Sequence, residues 1–229
     1  MTDIPTSAVP VIAIDGPSAS GKGTVAQRVA QTLGYHYLDS GAIYRIAALA
    51  ALRRGISWQN EAALADMAAG LDIRFSAGEI YLDGETITEA VRTEQISRGA
   101  SEVAVHPSLR RALLDLQQSF RKAPGLVADG RDMATVVFPD AQTKIFLTAS
   151  AEVRAERRYK QLIEKGIHAN LAEILQDLQT RDARDSQRAV APLQKSENAR
   201  LLETSDLSID QAVDAILDYS RADTGNQVL

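Results

Sequence analysis

The sequence predicts an α/β protein with a doubly wound, mainly parallel sheet, carrying a small antiparallel three-stranded insert. Three observations carry this. A glycine-rich turn joins an N-terminal strand directly to a helix, and β-like runs alternate with helical patterns along most of the chain. Two later apolar runs, 125–129 (GLVAD) and 144–147 (KIFL), lack alternation, as strands covered on both faces do. At 229 residues the chain is long enough for one large domain, and no linker divides it, so a single domain 1–229 with inserts is expected.

The elements follow in order. Residues 9–15 (VPVIAID) form a β-branched run before glycine, and 22–33 follow with helical apolar spacing. A second helix is expected over 41–54, closed by Gly55, and a short one over 58–69, ended by Gly70. Residues 72–75, 79–82 and 85–87 read as three short strands, and Asp83-Gly84 between the last two is a hairpin signal. Helical patterns resume over 98–103 and 107–122, with Pro107 tolerated in a first turn and Pro124-Gly125 as the stop. Beyond the two buried strands, Ser150 can cap a helix over 151–165 that Gly166 terminates. Asn170 with Glu173 opens a helix to about Arg184 or beyond, Leu201-Leu202 suggests a last strand, and Ser208 with Gln211 opens a helix over 209–221.

Composition narrows the chemistry. There is no cysteine, which excludes disulfides and thiolate zinc sites. His36, His106 and His168 are scattered, so no protein-ligated metal is expected. The first ten residues carry Asp3 and no apolar core of a signal peptide, and the longest apolar run, 46–52, is far shorter than the ~20 residues of a membrane span. A soluble, cytoplasmic protein is expected. The net charge of −5 removes the global basic field of a nucleic-acid binder. Arginine nonetheless outnumbers lysine 19 to 6, and seven arginines lie between Arg131 and Arg188. Arginine's planar fork suits a small phosphorylated ligand, although a general compositional preference for arginine would give the same count.

The sharpest motif is GPSASGKGT, formed by Gly16, Pro17, Ser18, Ala19, Ser20, Gly21, Lys22, Gly23 and Thr24. It has the spacing G-x-x-x-x-G-K, in which backbone amides and a helix N-terminus surround a di- or triphosphate and the lysine reaches its outer oxygens. The hydroxyl arrives one residue late, at Thr24, since Gly23 follows the lysine. By itself the motif indicates a nucleoside triphosphate but not its fate.

Three further segments supply candidates for a second ligand. LDSGAIYR (38–45) brings Ser40 and Arg45 to a helix start, where Asp39-Ser40 also reads as a simple N-cap. ADGRDMATVVFP (128–139) puts Arg131 and Asp132 just beyond the carboxyl end of a strand, where ligands sit in open α/β sheets. In RDARDSQRAVAPL (181–193), Arg181, Asp185 and Arg188 share one helical face with Arg184 close by; an ion-pair ladder explains Arg181 with Asp185 but leaves Arg184 and Arg188 repelling each other.

Together and in this order, the four segments resemble those of the bacterial cytidylate kinases, over about residues 11–221. The resemblance implies a phosphate-loop kinase core, a monophosphate-binding insert at about 64–100 and a short helical lid at about 154–166. It implies transfer of a phosphoryl group from ATP, bound with Mg²⁺, to CMP or dCMP. Residues 16–24 would hold ATP. Ser40, Arg45, Arg131 and Arg188 correspond to ligands of the acceptor phosphate, Asp132 and Arg181 to ribose ligands, and Ser101, Arg110 and Asp185 to readers of the cytosine ring. Arg157 and Arg158 resemble lid arginines. With Lys22, Arg131 and Arg188 they would form the catalytic set, and a monomer is expected. Ala19 and Ala134 stand where the family usually has glycine, and either would be strained if its backbone requires positive φ.

Two other readings stay open on the residues alone. A kinase for another monophosphate or a hydroxyl acceptor is one; a hydroxyl would generally need a carboxylate base, for which Asp39 or Asp129 is available. A nucleotide-binding switch is the other, though no guanine-reading N-K-x-D sequence is present. Asp129 itself is compatible with binding Mg²⁺ through water or with orienting Arg131.

Overall fold

A computed structural model describes residues 9–76 and 78–225. The segment 1–8, most of the stretch in which the sequence predicts no signal peptide, lies outside them. The chain forms two compact units: the described residues up to Leu38 together with those from Phe120 onward, and Asp39–Ser119.

The first unit is built on a five-stranded sheet of β1 (Val11–Asp15), β2 (His36–Asp39), β6 (Leu126–Gly130), β7 (Thr143–Thr148) and β8 (Arg200–Glu203), in the order β2-β6-β1-β7-β8. β1 runs parallel to both β6 and β7, and β7 parallel to β8. Every residue of β1 and β6 is buried, as two-sided apolar runs require. β7 departs from that expectation: Thr143, Ile145 and Leu147 are buried, whereas Lys144 and Phe146 on the opposite face are half-covered. Ile145 and Leu147 join Ile12, Ile14 and Val127 in a core covered by α1 (Lys22–Leu33) and α9 (Ile209–Gly225). Val25 and Val29 of α1 and Ala212, Val213 and Ile216 of α9 recur at the three- and four-residue intervals of a helix that buries one stripe.

α7 (Ala151–Glu164) and α8 (Leu171–Ser186) pack on each other. Their caps are those the sequence predicts: Ser150 accepts the amide of Val153, and Asn170 accepts those of Ala172 and Glu173. After α7 the amides of Gly166 and Ile167 return to the carbonyls of Ile163 and Leu162, which uses orphan acceptors of the last turn.

The second unit holds α2 (Ser40–Arg53), α3 (Glu61–Ala69), α4 (Glu94–Val103), α5 (Pro107–Ala112) and α6 (Leu114–Gln118), with α2 against α4 and α3 against α5. It also holds the antiparallel sheet β3 (Ile73–Ser76), β4 (Glu79–Leu82) and β5 (Glu85–Thr86). Asp83 and Gly84 have φ of 51° and 82°, the pair of positive values that a two-residue hairpin turn of the primed type needs.

Several elements depart from expectation. β2 was not anticipated, being only four residues (HYLD) with a single buried position, Leu38. α3 starts at Glu61, because Asn60 accepts the amide of Ala63. α4 starts at Glu94, capped by Thr93, four residues before the predicted onset. The helix expected over 107–122 breaks at Leu113 and ends at Gln118, well before Pro124.

Candidate active site

The Gly16–Thr24 loop leaves the carboxyl end of β1 and enters α1. A Cβ on Gly16 would stand 1.9 Å from the Leu147 carbonyl oxygen of β7, so only glycine fits this exit from the sheet. Gly21 caps α1 at φ 90° without a side-chain hydrogen bond, and α1 has no acidic residue in its first turn. The first amides of α1 therefore have no capping side chain and no acidic residue in their own turn, as suits an anion site. Lys22 is buried, its Nζ donating to the Pro17 carbonyl at 3.1 Å. Ser20 Oγ is buried without a hydrogen-bond partner, a polar atom that a bound phosphate would satisfy. Ala19 has φ 58°, so this alanine does occupy the strained region.

The segment after β6 brings several predicted residues to the same loop. Arg131 donates from Nη2 to Ser18 Oγ at 2.8 Å, from Nε to Asp185 Oδ2 at 2.8 Å, and from Nη1 to the Gly130 carbonyl. Asp132, buried, precedes a one-turn π-helix, Met133–Val137, whose closing amides at Val137 and Phe138 reach back to Asp132 and Met133. Ala134 lies inside that turn with an ordinary negative φ, so it carries none of the strain seen at Ala19. Asp129, also buried, accepts from the Tyr37 hydroxyl at 2.8 Å, and its other oxygen lies 3.7 Å from where a Cβ on Gly23 would stand.

Asp185 sits near the end of α8 among arginines. Burial alone would raise its pKa, but the charges of Arg131, Arg188 and Arg181 outweigh it and hold the carboxyl below its usual value. Arg188 is buried and its Nε bonds the Asp185 carbonyl at 3.3 Å. Arg188, one of the two arginines that the helical spacing leaves repelling each other, is thus close enough to the Asp185 carboxylate to lower its pKa.

The arginines of α7 take different positions. Arg157 donates from Nη1 to the Ser20 carbonyl at 3.1 Å and from Nη2 to the Thr204 carbonyl. Arg158 is half-exposed, with Nη1 3.4 Å from Gln161 Oε1. Arg154 was not among the candidates, yet it is buried, paired with Asp182 at 2.7 Å, and donates to the carbonyls of Ser18 and Ala149 at 3.0 Å each. Arg154 thus joins Arg157 in supporting the phosphate loop from α7, and nothing local in the sequence marks it, since its partners Ser18 and Asp182 are remote along the chain.

In the second unit, Asp39 is the N-cap of α2, accepting the amide of Ala42 at 2.9 Å, and its other oxygen holds Arg45 at 2.6 Å. Ser40 is buried, its hydroxyl donating to Gln117 Oε1 at 2.7 Å. Arg110 is buried over the Tyr44 ring, 5.3 Å from its centroid, with Nη1 on the Ala104 carbonyl. Ser101 is buried on α4. Asp39, Gln117 and Tyr44 thus contact Arg45, Ser40 and Arg110, and the sequence offers no sign of the Gln117 and Tyr44 partners.

No group of three metal-ligating side chains is found among the described residues, and no helix there is long and apolar enough to cross a membrane.

The family profile described as cytidylate kinase matches residues 12–222. The chain is 62% identical over 213 residues to the cytidylate kinase of Polynucleobacter asymbioticus, covering 93% of this chain and 97% of that one. It is 60% identical to the cytidylate kinase of Chromobacterium violaceum, covering 92% and 95%, and 57% identical to that of Bordetella bronchiseptica, covering 94% and 96%. With the phosphate loop, the Arg131–Asp185 pair and these relatives over nearly the whole chain, the protein belongs to the cytidylate kinase family.

Proposed function

We propose that the protein transfers the γ-phosphoryl group of ATP to the phosphate of CMP or dCMP, giving ADP and CDP or dCDP. Full-length identity of 56–62% to cytidylate kinases supports the activity, and the loop Gly16–Thr24 with its buried Lys22 is the observation that carries the ATP side. The enzyme is taken to work as a cytoplasmic monomer on free nucleotides.

A monophosphate has a second pKa of about 6, so at neutral pH the acceptor oxygen is already largely deprotonated and no general base is needed. The obstacle is bringing two anions into line. Catalysis then consists of positioning and charge neutralisation, the task of Lys22, Arg131, Arg157, Arg158 and Arg188. Mg²⁺ would arrive with ATP and neutralise charge on the transferred group; the Thr24 hydroxyl and, through water, Asp129 are the side chains at the loop suited to face it. Ser40 and Arg45, with Arg131 and Arg188, are assigned to the acceptor phosphate, and Asp132 and Arg181 to the ribose. Ser101, Arg110 and Asp185 are assigned to the cytosine ring, where a carboxylate accepts from the 4-amino group and disfavours the O4 of uracil.

The Arg131–Asp185 bond favours a second reading of Asp185, in which it aims Arg131 at the acceptor phosphate. Asp185→Asn separates the two. Loss of CMP over UMP preference marks a base reader, while equal weakening of every monophosphate marks a support for Arg131.

The test of the overall assignment is ADP production from Mg-ATP with CMP, dCMP, UMP, AMP or GMP. Turnover with CMP or dCMP is expected, and Lys22→Ala lowers it by several orders of magnitude. Failure of all five acceptors with ATP still bound would overturn the acceptor assignment and leave the phosphate loop standing.

A further inference from the structure

Asp15 ends β1, next to Gly16 of the phosphate loop and paired in register with Gly130 of β6. It is a buried carboxylate with no part in the mechanism above. Its two oxygens are each used once: Oδ1 accepts the amide of Met133 and Oδ2 that of Ala134, both at 2.8 Å. These are the first amides of the Met133–Val137 turn, which have no carbonyl within the turn to bond, and the residue before them, Asp132, makes no side-chain cap. A residue more than a hundred positions away therefore caps the turn. Any tilt of the turn would redirect Arg131 and Asp132 immediately before it, and Arg131 bridges Ser18 and Asp185.

We infer that Asp15 is a positioning residue for the acceptor side of the reaction: by holding the amides of Met133 and Ala134 it sets where Arg131 and Asp132 stand relative to the phosphate loop. The inference rests on the assignment of Arg131 and Asp132 to CMP. An energetic oddity supports it. Burial pushes the Asp15 carboxyl up to about 7, with the two amides lowering it, nearby Asp132 raising it and Arg131 lowering it. Its folded pKa lies above its unfolded value, so its contribution to stability is fullest below the ordinary carboxyl pKa and is lost as pH rises through about 7. A carboxyl whose ionisation costs stability near neutral pH, yet whose two oxygens both hold backbone amides, fits a positioning task better than a stabilising one.

The experiment is steady-state kinetics of Asp15→Asn and Asp15→Ala beside Arg131→Met, varying CMP at saturating ATP and ATP at saturating CMP. Asparagine keeps the shape but offers one acceptor, turning its NH₂ toward the second amide. The expected result for Asp15→Asn is a fall of about 10- to 100-fold in kcat/KM for CMP with KM for ATP near wild type, and a thermal midpoint at pH 8 no lower than wild type. A folded Asp15→Asn with unchanged CMP kinetics, or with CMP and ATP parameters shifted equally, overturns the inference. Unchanged CMP kinetics in Arg131→Met instead overturns the assignment of Arg131. Should neither Asp15 variant fold, amide hydrogen exchange in the wild type decides. Protection of Met133 and Ala134 at pH 8 that weakens, relative to Val136, as the pH falls below 7 upholds the capping; absence of protection at pH 8, or a pH-independent ratio, overturns it.

Discussion

Replacing Ala19 by glycine should stabilise the protein. At φ 58° the alanine is in the left-handed region, where the Cβ of an L-residue meets the following carbonyl at a cost of about 1–2 kcal/mol. Glycine relieves that contact but gives the unfolded chain extra freedom worth about 0.5–1 kcal/mol. The difference spans about 0–1.5 kcal/mol and centres on about 0.75 kcal/mol in favour of Ala19→Gly, which for a chain of this size raises the thermal midpoint by about 1.5–3 °C. The assay is scanning calorimetry without nucleotide, with Gly21→Ala as the reverse control. At Gly21 φ is 90°, and the nearest atom to an added Cβ is Arg157 Nη1 at 3.9 Å, so the control adds backbone strain without a clash and must lower the midpoint. A midpoint for Ala19→Gly equal to or below wild type would refute the reasoning, because strain at Ala19 would then not be present in the folded protein.

Two further substitutions probe packing. Gly99→Ala places a Cβ 2.5 Å from the Trp58 ring, which is tethered through its Nε1 to the Ala48 carbonyl; overpacking of about 1–3 kcal/mol exceeds the roughly 1 kcal/mol that alanine gains in a helix. A lowered midpoint and a shifted emission spectrum are expected, and since Trp58 is the only tryptophan, an unchanged spectrum contradicts the clash. Arg154→Ala breaks a largely buried pair and leaves Asp182 and the Ser18 carbonyl without their donor, at about 3–5 kcal/mol. Urea unfolding should show that loss together with a raised KM for ATP, and a normal KM for ATP would show that Arg154 does not support the loop.

Much of the first unit was legible because its elements announce themselves locally. β1 and β6 are continuous apolar runs, and the caps at Ser150 and Asn170 need only neighbouring residues. β2 escaped because His36–Asp39 is short and one-sided, and the expected 107–122 helix was overlong because its break at Leu113 has no glycine or proline to mark it. For the site, the motifs named the residue types but not their partners within the chain. Arg131 meets Ser18 and Asp185 across separations of 113 and 54 positions, and Asp15 meets Met133 across 118. Spacing along one helix cannot report contacts of that kind, so Asp15 and Arg154 were passed over as an ordinary strand end and an ordinary helix cation.

The phosphate loop shows what such remote contacts accomplish. Three of its carbonyls are held by cations: Pro17 by Lys22, Ser18 by Arg154 and Ser20 by Arg157. In a planar trans peptide the carbonyl and the following amide point in opposite directions, so anchoring those three oxygens also aims the amides of Ser18, Ala19 and Gly21. Under the proposed assignment of this loop to ATP, the donors that a polyphosphate needs would be oriented before it arrives, leaving little conformational entropy to lose on binding.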